Sequence, residues 1–167
     1  MKFTSIMALS ALFICSTEAI KFNKNADPLP ADHPYWDKYK KKDSDLSNTF
    51  FKASDSGTQF YERVLPAHFN GEGEFDDRFM FNLHKNYALE RKTKDGKPSG
   101  KFYMDRANTL IVADEVLMNN KGMKDAAERK KWLDTYFDRS WNHFDVNNEG
   151  VIEVVQISQF MRFLASD

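Results

Sequence analysis

From Glu74 onward the chain mixes charge with apolar residues spaced three and four apart, the period of helices buried on one face. Phe79, Leu83 and Tyr87 fall on one such face and predict a helix over roughly Glu74 to Glu90. The polar stretch KTKDGKPSGKF, Lys92 to Phe102, follows and reads as a turn because of its glycines and proline. A second helix is predicted from about Asp105 to Leu117, with Ala107, Leu110, Ile111 and Leu117 on a common stripe, ended by the Asn and Gly of NNKGMKD. A longer third helix runs from about Asp125 to Phe144 through Leu133, Tyr136, Phe137, Ser140, Trp141 and Phe144. The last, Val154 to about Leu164, buries Ile157, Phe160, Met161 and Leu164. Helix, glycine loop, helix then occurs twice, and SGKF (Ser99 to Phe102) and EGVI (Glu149 to Ile152) each place Gly two residues before a large apolar residue. The pattern is a weak internal duplication.

Upstream, Ile20 to Gly73 lacks helical periodicity and holds Pro28, Pro30, Pro34 and Pro66. Proline removes a backbone donor and disfavours helix in its predecessor, so NADPLPADHPYW reads as an extended arm, with Tyr35, Trp36 and Tyr39 to lay it on the domain behind. Thr58 to Leu65 reads as a short helix ended by Pro66. The opening MKFTSIMALSALFICSTEA, with Lys2, an apolar run and small residues at Thr17 and Ala19, predicts a secretory signal peptide over residues 1–19. Its apolar run is too short to cross a bilayer as a helix, and no later segment reaches spanning length, so no membrane association is expected after its removal.

Composition narrows the chemistry. Hydrophobic residues make up 41% and aromatics 14%, enough for one core. Net charge is −1, which argues against nucleic acid as the main partner; the run KYKKK (Lys38 to Lys42) reads as solvated surface. Cys15 is the only cysteine and lies in the leader, so the fold must rest on its core or on metal rather than disulfides. The four histidines show no metal spacing, and SDSGT at Ser54 to Thr58 lacks the second copy that a paired-carboxylate protease requires. No catalytic constellation emerges, and the chain is expected not to be an enzyme.

One loop carries chemistry. A hard cation such as Ca²⁺ takes six to eight oxygens from a chain that turns sharply partway. Counted from Asp145, carboxylate, amide and carboxylate oxygens come from Asp145, Asn147 and Glu149 at positions one, three and five. Gly150 supplies the turn, Val151 a carbonyl at seven, Ile152 an apolar residue at eight, Glu153 a donor through water at nine, and Gln156 an amide at twelve. This stretch, with Trp141 and Phe144 before it and Phe160 and Leu164 after it, resembles the EF-hand superfamily of calmodulin-like calcium-binding proteins. The earlier glycine loop matches weakly. With Gly100 at its centre, Asp95 takes position one, but Lys97, Ser99 and Arg106 fall at ligand positions, so no metal is expected there.

The resemblance implies a mainly α fold: a paired EF-hand helix–loop–helix domain over 74–167, with a degenerate hand at about 74–117 and a second at about 125–167, behind an extended arm at 20–73. It implies that Phe102 and Ile152, at position eight of each loop, face one another in a short ribbon, and the distance from Gly100 to Gly150 predicts a long connector. Because Gln156 lacks the charge and second oxygen of a glutamate, calcium affinity is expected near that of weak extracellular sites, about 10⁻⁴ to 10⁻³ M. The expected function is a secreted or luminal protein binding calcium weakly through Asp145, Asn147, Glu149, Val151, Glu153 and Gln156. The alternative is a non-catalytic interaction or structural protein whose degenerate hand pair no longer binds calcium.

Overall fold

Three helices begin where an aspartate can accept a first-turn amide, the donor otherwise left without a partner. Asp77 accepts from Met80, Asp105 from Asn108 at 2.7 Å, and Asp125 from Ala127. These caps are seen in a computed structural model that describes residues 43–66 and 77–166, with only the backbone given for 43–45. The predicted leader, the Lys38 to Lys42 run, and the arm before residue 43 and at 67–73 lie outside the described residues.

The order is α1 (Asp43–Thr49), β1 (Phe50–Phe51), a 3₁₀ turn (Ala53–Asp55), α2 (Arg78–Asn82) continuing as a π-helical turn (Leu83–Tyr87), β2 (Leu89–Lys92), β3 (Pro98–Asp105), α3 (Arg106–Asn119), α4 (Ala126–Phe144), β4 (Val151–Glu153) and α5 (Val154–Ser166). The mainly helical expectation holds only in part: beside the helices stands a four-stranded antiparallel sheet in the order β1-β2-β3-β4. The last three predicted helices lie close to their expected ranges. The first ends at Tyr87 rather than Glu90, because Ala88 turns extended and Leu89 enters the sheet. Residues 74–76 of that prediction are outside the described residues.

The supposed first loop is a β-hairpin. Thr93 and Lys97 close its turn, with Gly96 at φ 74°, a left-handed conformation that suits glycine. Gly100 sits inside β3 at φ 73°, where the register between β2 and β3 slips, and its amide donates to Glu90 Oε1 at 2.7 Å. It is therefore a bulge glycine and not the centre of a loop. Strand β3 runs on to the start of α3, which puts Met104 opposite Ile152 and leaves Phe102 opposite Glu90. The expected Phe102–Ile152 pairing is shifted by two residues. Helix α3 starts two residues after Met104 and α5 two residues after Ile152, so strand-to-helix passages match in this register. The long connector disappears too: residues 120–125 alone join α3 to α4, and Arg129 holds them by donating to the carbonyls of Met123 and Lys124 and pairing with Asp114.

Alternation along the strands gives the sheet two apolar faces. Phe102, Met104 and Ile152 join the main core with Leu83, Leu110, Leu117, Leu133, Phe137, Trp141, Ile157, Phe160 and Leu164. Phe50, Leu89, Tyr103 and Val151 form a smaller cluster on the other face, with Leu46 of α1 against it. The described part of the arm is thus not simply extended: it contributes a helix and the edge strand β1. Residues 58–66 form no helix; Thr58 and Tyr61 bridge, and Arg63 donates to the carbonyls of His84 and Ala88. Asp55 of the SDSGT stretch accepts the Lys52 amide at 2.8 Å and so fixes the 3₁₀ turn. Among the described residues no helix is long and apolar enough to cross a membrane.

Candidate functional site

Helix α4 stops at Phe144 because the chain winds back around the side chain of the next residue. The Asp145 amide still donates to the Trp141 carbonyl at 2.8 Å, but its carboxylate then gathers the loop. Oδ1 accepts the Glu149 amide at 2.8 Å, and Oδ2 accepts the Gly150 amide at 3.0 Å and Trp141 Nε1 at 3.2 Å. A carboxylate has about four acceptor sites, so three donors leave it one direction open. Asn148 at φ 53° and Gly150 at φ 77° take the left-handed conformations that let amides converge on one point, which asparagine and glycine tolerate best. Asp145 is buried, while Asn147, Glu149, Glu153 and Gln156 are exposed.

All six residues proposed from sequence line one cavity of about 270 Å³. They differ in readiness. Asp145 is fixed by its hydrogen bonds, and Val151 is fixed in β4, opposite Asp105. Glu149 is engaged elsewhere: its Oε2 accepts from Arg91 Nη2 at 2.9 Å, an ion pair whose side chains are 35% and 48% exposed, Arg91 first. Arg91 belongs to β2, lines the same cavity, and lies over the Tyr103 ring at 4.3 Å from the centroid. Sequence reasoning missed it, because nothing near residue 91 hints at the loop; only the pairing of β2, β3 and β4 brings them together.

The donor set suits a hard cation, since every candidate ligand is an oxygen. Among the described residues no three His, Cys, Asp or Glu side chains converge closely enough to form a metal-binding group. A cation here would therefore depend on the amide oxygens of Asn147 and Gln156 and the Val151 carbonyl as well as on carboxylates. Of the two histidines among the described residues, His143 stacks on Phe163 with centroids 4.9 Å apart, and buried His84 places Nδ1 2.8 Å from the Met80 carbonyl.

Ionisable groups away from the loop are perturbed by burial. Burial raises Glu115 above its ordinary range, and the Asp114 charge adds to the rise. Tyr87, beside Glu115, is pushed up to about 12, first by burial and then by the charge of Glu115. Tyr61 also rises to about 12, through burial and its 2.6 Å hydrogen bond to Glu90. Compared with known proteins, the chain matches no family model, no curated protein and no solved structure.

Proposed function

We propose that this chain is a non-catalytic EF-hand protein of the secretory pathway, extracellular or luminal, that binds calcium weakly through residues 145–156. The observation that carries this reading is the wrapping of the loop around Asp145: its buried carboxylate takes the Glu149 and Gly150 amides at 2.8 and 3.0 Å while the other proposed donors line the same cavity. Such a loop holds its turn before any ion arrives. Asp145, Asn147, Glu149, the Val151 carbonyl and Gln156 would hold calcium directly, with Glu153 acting through water. The hairpin-bearing half, paired through Met104 and Ile152, would serve as the partner hand. The leader predicted from the sequence at residues 1–19 would take the chain into the secretory pathway, where calcium outside the cytosol is concentrated enough to fill a weak site.

One observation favours the second reading, an interaction or structural protein whose hand no longer takes calcium: Glu149 is already paired with Arg91. Calorimetric titration of the full chain with CaCl₂, with MgCl₂ as control, separates the two. The calcium reading expects one-site binding at about 10⁻⁴ to 10⁻³ M that raises the melting temperature and is lost in Asp145→Asn. Absence of calcium-specific heat in a folded protein would favour the second reading.

A further inference from the structure

We infer that Arg91 is a tethered counter-cation of the 145–156 loop, which calcium must displace from Glu149, so that guanidinium and metal exclude one another. The inference rests on the calcium reading above and adds a second residue, beside Gln156, that lowers the affinity.

Arg91 is positioned by the sheet rather than by the loop. It lies on β2 opposite Phe50, and its guanidinium carbon sits 4.3 Å from the Tyr103 ring centroid and 5.5 Å from that of Phe50. Stacking on aromatic faces suits a guanidinium and holds it with little freedom left to lose. Its Nε is buried without a hydrogen-bond partner, and Nη2 donates to Glu149 Oε2 across 2.9 Å.

The loop end of the contact fits the same picture. Glutamate is long for position five of such a loop, and its extra methylene gives Glu149 the reach to meet Arg91. Asp145, Glu149 and Glu153 all line the cavity, and Arg91 lines it too, bringing a positive charge that is ion-paired with Glu149. An incoming dication meets two costs: Glu149 must leave its partner, and the guanidinium remains close by as a like charge. Coupling of this kind is reciprocal, so bound calcium must loosen Arg91 by the same factor that Arg91 weakens calcium.

The test is calcium titration by calorimetry on the full chain and on Arg91→Gln, Arg91→Lys and Glu149→Asp, with circular dichroism to verify folding. Removing one half-exposed ion pair and one like charge predicts roughly tenfold tighter binding in Arg91→Gln and a smaller gain in Arg91→Lys, which keeps the charge but loses the stacked planar fork. Glu149→Asp leaves the sheet untouched but falls short of Arg91, so it too should bind more tightly, and this gain should shrink in the double variant with Arg91→Gln. A parent that gives no calcium heat while Arg91→Gln binds would support the counter-cation and overturn weak binding by the parent. Equal affinities in the parent, Arg91→Gln and Glu149→Asp would overturn the counter-cation and leave the calcium reading standing. Silence in all of them would overturn both.

Discussion

At position twelve of the loop, Gln156 offers one neutral oxygen where a carboxylate would offer two and a charge. It is exposed at the edge of the cavity, so substitution there disturbs no packing. Gln156→Glu is expected to move the calcium dissociation constant from about 10⁻⁴–10⁻³ M to about 10⁻⁵ M, read by calorimetry. An unchanged constant would mean that this position does not face the ion. At this scale the loop was legible because its candidate ligands lie in one short run, and chain order alone fixes their spacing. Arg91 was not legible, since its meeting with Glu149 depends on the pairing of three strands. The unusual length of Glu149 was the one trace of it in the sequence.

Helices announced themselves through period; the hairpin did not. Strands β2 and β3 alternate between two buried faces, so Leu89 and Tyr103 point to one cluster and Phe102 and Met104 to the other. Pro98 and Gly100 then made the stretch look like a loop, although Pro98 begins β3 and Gly100 forms its bulge. Helix α3 shows a subtler gap: Thr109, Val112, Ala113 and Val116 are buried beyond the predicted stripe, because the helix packs on more than one neighbour. That packing has a pH signature. Glu115 of α3 lies beside Tyr87 at the end of the π turn, and burial, with the Asp114 charge, raises its pKa above 4.5. The folded chain then holds the proton more tightly than the unfolded chain. Its contribution to stability is full below about 4.5 and is lost as pH rises through the folded value. Glu115→Gln is expected to flatten the fall in melting temperature over that window and to melt higher than the parent at pH 7, measured by circular dichroism. A steeper fall, or a lower melting temperature at pH 7, would contradict this account of the pair.

For the molecule as a whole, the sheet does two jobs. One face completes the helical core, and the other carries the Phe50, Leu89, Tyr103 and Val151 cluster that supports Arg91 beside the loop. The segment before the main helices belongs to this construction: β1 edges the sheet, and Tyr61 and Arg63 tie the chain to Glu90, His84 and Ala88. An extended arm was expected there because prolines and missing periodicity say where helices fail. They do not say which strand will find an edge. The same construction gives the loop its shape through Asp145 and strand pairing, so on the proposed reading calcium fills the fold but does not create it. The most direct measurement is an amide NMR titration of the ¹⁵N-labelled full chain with calcium. The proposed calcium loop predicts a dispersed spectrum without metal, then saturable shifts centred on Asn148, Glu149 and Gly150, with a midpoint of about 10⁻⁴ to 10⁻³ M. Gly96 and Gly122, outside the loop, should stay in place. A spectrum in which the three loop amides do not move at about 10 mM calcium would contradict it.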